Sequence, residues 1–214
     1  MFDEKFRAVF PRFAKWILQP LILAKVSPNQ VTVFGFLLAL LACYFVSQEQ
    51  FILGIIIWWL SRLADGLDGL LARETKQKTA FGGYLDILLD MFAYSTMIFA
   101  FALVYPEHSF IWNLILVSYV LCITSTLAFS SILENLSGSP NPQVKEIIKN
   151  NNRSLKFTTG LAEGGETSLA YTFLSVLPLF WADSVLYVSL VWLSMVMLTV
   201  LQRSYLAFKV LKGV

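Results

Sequence analysis

FILGIIIWWLSRLADGLDGLLARETKQKTAFGGYLDILLDMFAYSTMIFAFALV, Phe51–Val104, sets two long apolar runs on either side of a short basic segment. Each run, Phe51–Ala72 and Phe81–Val104, has roughly the 20 residues that cross about 30 Å of hydrocarbon as a helix. Four more runs of similar character lie outside this pair, at Gln30–Ser47, Phe110–Leu133, Thr167–Trp181 and Ser184–Phe208. The whole 214-residue chain is 57% hydrophobic and only 14% charged, whereas a soluble domain carries about a quarter charged residues. In lipid every backbone polar group must be satisfied within its own segment, so the runs are expected as helices. The reading is an all-α integral membrane protein of six transmembrane helices; four spans, or a large soluble helical core, fit less well.

Charge sets the expected orientation. With the N-terminus in the cytoplasm, the inner segments hold Lys5, Arg7, Arg12, Lys15 and Lys25, then Arg73, Lys76 and Lys78, then Lys145, Lys149, Arg153 and Lys156, then Arg203, Lys209 and Lys212. The outer loops, around Glu49, Glu107–His108 and Asp183, hold no Lys or Arg. That separation follows the positive-inside rule and predicts both termini on the cytoplasmic side. Phe2, Phe6, Val9, Phe10, Phe13 and Ile17 recur at helical steps among basic residues, the pattern of an amphipathic helix lying in the membrane surface. Residues 1–27 are therefore expected as an amphipathic juxtamembrane segment, and residues 28–214 as the membrane domain. No signal peptide is visible. Cys43 and Cys122 stand alone inside spans and are read as structural, with no metal site between them.

Asp65, Asp68, Asp86 and Asp90 interrupt the facing ends of the second and third runs. An Asp at the centre of a membrane helix costs about 2.5–3.5 kcal/mol, so four cost on the order of 10 kcal/mol before any compensation. Ionisable residues in such places mark function. Asp65 and Asp68 are three apart and Asp86 and Asp90 four apart, so each pair shares a helix face. The short connection predicts that the two helices are antiparallel neighbours with the four carboxylates converging between them. An oxygen-only donor set suits Mg²⁺ or Mn²⁺, and four carboxylates suit two ions. Mg²⁺ bridging a few carboxylates points to a phosphate-bearing substrate. Gly69 and Gly82 leave room beside the carboxylates, and Arg73 stands where it could hold a phosphate. A divalent-cation transporter is the competing class, but the carboxylates occupy one face with no polar relay beyond them and no inverted repeat.

Asp65, Asp68, Gly69, Ala72, Arg73, Gly82, Asp86 and Asp90, with Gly66, fall at the spacing D-G-x-D-G-x-x-A-R-x8-G-x3-D-x3-D. A chance match of eight such positions at a given start is on the order of 10⁻¹⁰ at ordinary residue frequencies. In this motif the chain resembles the CDP-alcohol phosphotransferases. The resemblance runs from about Pro28 to the last span and includes Ser27-Pro28-Asn29-Gln30-Val31-Thr32 ahead of the first span. It implies transfer of a substituted phosphate, here a phosphatidyl group, from a CDP-linked lipid such as CDP-diacylglycerol to a small alcohol, with release of CMP. Carried over by the motif, Asp65, Asp68 and Asp86 are metal ligands, and Asp90 is both a ligand of a second ion and the general base. Pro28, Asn29, Gln30, Gly69, Ala72, Arg73 and Thr79 are implied to hold the CDP portion, with Gly82 giving it room. The resemblance further implies a homodimer in a bacterial inner membrane, an active site on the cytoplasmic side, and no nucleic-acid partner.

The acceptor is less defined. Arg153 and Lys156 precede Gly160-Leu161-Ala162-Glu163-Gly164-Gly165-Glu166-Thr167, in which Glu163 and Glu166 share a helix face. The glutamates suit the hydroxyls of a polyol or an amine, and the cations suit a phosphorylated acceptor. Arg62, one turn before Asp65, is read as counter-charge or as a further acceptor contact. Glycerol 3-phosphate is the first expectation, with inositol, inositol phosphate, serine or choline as alternatives.

Overall fold

The computed structural model describes residues 16–136 and 164–212. After a short helical segment at residues 16–23 come α1 (Pro28–Ser47), α2 (Phe51–Glu74), α3 (Ala80–Val104), α4 (Ser109–Asn135), α5 (Gly164–Val176) and α6 (Ser184–Leu211). No strand occurs among the described residues. The expected amphipathic helix falls mainly on residues 1–15, outside the described residues, as does most of the polar connection before α5.

Local chemistry fixes where the helices begin and end. At α1, Ser27 Oγ accepts from the Gln30 N–H at 3.3 Å while Gln30 Oε1 accepts from the Ser27 N–H at 2.8 Å, and Pro28 follows at the first position. This reciprocal capping satisfies two donors that a helix start leaves over. Thr79 caps α3 by accepting from the Gly82 N–H at 3.0 Å. The segment before α1, α1 itself and α2 all end on a residue with positive φ, respectively Lys25, Glu49 and Lys76. In each case the next N–H bonds back to a carbonyl in the last turn: Val26 to Leu21, Gln50 to Phe45 and Gln77 to Ala72, all at 2.9–3.0 Å. These are the closing bonds of a Schellman cap, made here without the usual glycine. α5 starts three residues earlier than Thr167 and gives way to a 3-10 turn at Leu177–Leu179 rather than reaching Trp181. Pro178 lacks the N–H that an α-helix would need there.

In a bilayer the lipid is as apolar as leucine, so helices associate through close packing and interhelical hydrogen bonds. α1 and α2 show the first. A Cβ at Gly35 would sit 3.1 Å from Ala64 Cβ, and one at Gly54 only 2.7 Å from Val46 Cγ2. Ala39 and Ala42 lie fully buried along the same seam. α1 packs closely on both α2 and α3, whereas α2 and α3 make little direct backbone contact. The short connection does set α2 and α3 beside each other, but α1 supplies the close backbone packing, and α2 and α3 meet through side chains, as at Arg62–Asp90 and Trp58–Tyr94. Small residues on α1 allow its close approach, while the facing ends of α2 and α3 carry like charges and bulky aromatics.

The second half of the fold pairs α4 with α6, and α5 bridges to α2 and α6. Here hydrogen bonds do the joining. Tyr171 on α5 donates to the Tyr94 carbonyl on α3 at 2.9 Å, so its hydroxyl is left to accept from Tyr119 of α4 at 2.9 Å. Tyr119 in turn accepts from Trp192 Nε1 of α6 at 2.8 Å. Trp58 and Trp59 of α2 donate to Ser168 and Thr172 of α5, both at 3.1 Å. Such bonds contribute about 0.6 kcal/mol each on average in membrane proteins.

Among the described residues, four helical stretches are long and apolar enough to cross a membrane: Pro28–Ser47, Ala80–Val104, Pro106–Asn135 and Ser184–Leu211. α2 is long enough but carries Arg62, Asp65, Asp68, Arg73 and Glu74, and α5 has only 13 residues. Large apolar side chains face outward along the helices, among them Phe34, Phe99, Val120, Phe173 and Leu201, each at least half exposed. A soluble surface rarely shows so much. The chain is an all-helical integral membrane protein.

Candidate active site

Pro28–Phe36 of α1, the second half of α2 and the first turns of α3 come together at one end of the fold, and a small cavity opens there. It is lined by Thr32, Gly35, Phe36, Arg62, Asp65, Asp86, Leu89 and Asp90. α1 and α3 both begin at this end, and the positive ends of their dipoles favour anions there. Gly82 lets the two starts meet. A Cβ on it would lie 3.0 Å from Asn29 Oδ1 and 3.1 Å from Thr79 Oγ1, so any larger residue would push apart two side chains expected to hold the nucleotide.

Asp65, Asp68 and Asp86 each offer an oxygen within 4.8 Å of the other two. Asp68 is buried, 6% exposed, and accepts a 2.5 Å hydrogen bond from Thr32 Oγ1. The same hydroxyl lies 3.1 Å from the Pro28 carbonyl. It has one proton to give, and a carboxylate is the stronger acceptor. Three carboxylates at this range, with no His or Cys in the set, fit a hard divalent cation that takes oxygen ligands. Uncompensated like charges at that separation are costly, and a divalent cation bound among them would offset that cost.

Asp90 stands apart from this trio. Its Oδ1 accepts from Arg62 NH1 at 2.6 Å, and the same NH1 lies 3.2 Å from the Tyr94 hydroxyl. Arg62 NH2 donates to Ser61 Oγ at 3.0 Å. The guanidinium carbon sits 4.8 Å from the Trp58 ring centroid and 5.2 Å from that of Tyr94. Its side chain is 10% exposed and Asp90's is 24%. Arg62 therefore rests against two adjoining aromatic rings, whose centroids are 5.7 Å apart, with Asp90 as its counter-ion.

Residues 25–200 match the family described as CDP-alcohol phosphatidyltransferase. The chain belongs to the CDP-alcohol phosphatidyltransferase family. It is 31% identical over 160 residues to the inner membrane protein YnjF of Escherichia coli, with 73% of each chain covered. It is 43% identical over 79 residues to the archaetidylinositol phosphate synthase of Pyrococcus horikoshii, covering 36% of this chain and 42% of that one. Among solved structures, Mycobacterium tuberculosis phosphatidylinositol phosphate synthase with CDP-DAG bound superposes with a TM-score of 0.67 at 19% identity, over 92% of this chain and 94% of that one. The same mycobacterial protein in complex with manganese and citrate gives 0.65 at 18% identity, over 91% and 88%. The fold is shared.

The remaining residues expected from the family motif are distributed unevenly. Gly69 and Arg73 are adjacent on α2, with an Arg73 guanidinium nitrogen 3.5 Å from where a Gly69 Cβ would be, and Ala72 lies between them. Pro28 and Gln30 serve the α1 cap. Glu166 lies in the first turn of α5, with Oε2 buried and without a hydrogen-bond partner, and it does not line the cavity. Arg153, Lys156 and Glu163 lie outside the described residues. Thr32, Ser61, Trp58 and Tyr94 carry no role in the sequence reading, yet they fix Asp68 and Arg62. Tyr94 could have been found, because it follows Asp90 by four residues on the same face. The Thr32–Asp68 pair, 36 residues apart, leaves no local signal.

Proposed function

We propose that the protein transfers a phosphatidyl group from a CDP-linked lipid, CDP-diacylglycerol, to the hydroxyl of a small alcohol. The observation that carries this reading is the oxygen-only trio Asp65, Asp68 and Asp86, set beside two helix starts in a membrane protein of this family. In the reaction the acceptor oxygen forms a bond to the lipid-bearing phosphorus, the pyrophosphate P–O bond breaks, and CMP departs. Mg²⁺ or Mn²⁺, held by the trio, would neutralise the pyrophosphate and the leaving CMP. The number of ions is expected to be two by family resemblance, with Asp90 contributing to the second. Asp90 takes the proton from the incoming hydroxyl. Asn29, Thr79 and Arg73, with the room left by Gly69 and Gly82, hold the CDP portion.

The acceptor we favour is an inositol-type polyol or its phosphate. Support comes from the names of relatives, archaetidylinositol phosphate synthase and phosphatidylinositol phosphate synthase among them. Glycerol 3-phosphate, the first expectation from sequence, is the second choice. Arg62, Arg153, Lys156, Glu163 and Glu166 are the candidate acceptor contacts. We further propose six crossings with the site and both termini facing the cytoplasm, a 1–27 interfacial segment ahead of the 28–214 domain, and a homodimer.

The test is CMP release by purified protein with CDP-diacylglycerol and Mn²⁺, against inositol, inositol phosphate, glycerol 3-phosphate, serine and choline. Release confined to the inositol compounds supports the proposal. Release with glycerol 3-phosphate alone would keep the reaction and replace the acceptor.

A further inference from the structure

We infer that Arg62 is a positioning residue for Asp90: it holds Oδ1 of the base so that Oδ2 is left to face the acceptor hydroxyl. The inference rests on the proposed transferase reading and adds a working part to it.

Three observations carry it. Asp65, Asp68 and Asp86 gather within 4.8 Å and Asp90 does not join them. The 2.6 Å bond from Arg62 NH1 engages only one Asp90 oxygen. Arg62 itself has little freedom, because its guanidinium rests against the adjoining Trp58 and Tyr94 rings and Ser61 takes NH2. Those supports are fixed in turn: Trp58 donates to Ser168, and the Tyr94 backbone carbonyl accepts from Tyr171. Gly164, at the start of α5, leaves space at the Tyr94 hydroxyl, where a Cβ would come within 3.0 Å. A base oriented by a third group is the arrangement that proton transfer in catalysis repeatedly uses. In the step itself the acceptor proton passes to Asp90 Oδ2, the acceptor oxygen bonds to phosphorus, and the electron pair of the broken P–O bond leaves with CMP. Arg62 exchanges no proton and touches no reacting atom.

The alternative role, counter-charge for the whole acidic cluster, gives a different result on substitution. Removing a residue that is counter-charge alone would strengthen Mn²⁺ binding by the trio and leave kcat, whereas removing an orienting group lowers kcat. Arg62→Met, Arg62→Lys and Tyr94→Phe are to be compared with the unaltered full chain in detergent, measuring CMP release and, separately, Mn²⁺ affinity by electron paramagnetic resonance. For Arg62→Met we expect kcat to fall about 100-fold, the scale of a misplaced reacting group. KM for CDP-diacylglycerol should stay within about threefold. Arg62→Lys, which keeps a cation but not the planar fork, should recover about tenfold of the loss. Tyr94→Phe, which preserves the ring and removes only the hydroxyl, should lower kcat several-fold and serves if Arg62→Met does not fold. Near-normal kcat in Arg62→Met, or in Tyr94→Phe where Arg62→Met does not fold, overturns the inference, and so does tighter Mn²⁺ binding in Arg62→Met with kcat retained. Silence of the unaltered protein with every acceptor overturns the transferase reading instead.

Discussion

Thr32 spends its one hydroxyl proton on Asp68 at 2.5 Å, in a place where both residues are under 10% exposed. Groups that orient a metal ligand typically change affinity 10–100-fold when removed. Thr32→Val, which keeps the shape, should weaken Mn²⁺ binding at least tenfold, and Thr32→Ser should restore most of it; equal affinity for all three would show that Asp68 needs no support. Gly82 invites a second substitution. The Cβ of Gly82→Ala would press on Asn29 Oδ1 and Thr79 Oγ1, so KM for the CDP lipid should rise about tenfold or more while Mn²⁺ affinity holds. At this scale the motif was legible: the spacing of Asp65, Asp68 and Asp86 on their helix faces was enough to bring their oxygens together. What it did not reveal was the division of labour. Asp90 belongs to the same spacing, but its partner Arg62 lies 28 residues away, and the aromatic contact with Arg62 depends on how α2 faces α3.

At the scale of elements, the helices follow from apolar runs and the ends from local chemistry. The Ser27–Gln30 box, Thr79 and Pro178 each left a sequence signal, whereas the positive-φ ends at Lys25, Glu49 and Lys76 did not, because none is glycine. A left-handed residue with a side chain costs about 1–2 kcal/mol, so Glu49→Gly, far from the site, should raise the thermal stability of the detergent-solubilised protein slightly. The opposite is expected of Gly54→Ala: its Cβ would meet Val46 Cγ2 at 2.7 Å and the Ala42 carbonyl at 3.1 Å. Overpacking of that kind costs about 1–3 kcal/mol, read as a lower melting temperature, and an unchanged value would contradict the close α1–α2 seam. Chain order alone suggested that α2 and α3 pack together. They do meet, but through side chains: the small residues of α1 take the close backbone contact, and the space left between α2 and α3 is where the carboxylates come together.

On the whole-molecule scale, a closely packed α1–α2–α3 unit carries the site and an α4–α6 pair stands beside it, with α5 tied to both through Trp58, Tyr94 and Tyr119. The lysine and arginine distribution predicts that the site opens to the cytoplasm. In a Cys43→Ala, Cys122→Ala background, Glu49→Cys and Asp183→Cys should label from the outside of intact cells with a membrane-impermeant thiol reagent, and Lys76→Cys only after lysis. External labelling of Lys76→Cys would invert the topology. The claim on which the rest depends is that the three-carboxylate cluster drives a metal-dependent transfer. The direct measurement is Mn²⁺-titrated CMP release from CDP-diacylglycerol, with the acceptor that the panel selects, by the unaltered protein and by Asp65→Asn, Asp68→Asn and Asp86→Asn. The account predicts release that vanishes without divalent ion and falls at least 100-fold in each variant, with weaker Mn²⁺ binding. Release that persists in a chelator, or in any of the three variants at the unaltered rate, would contradict it.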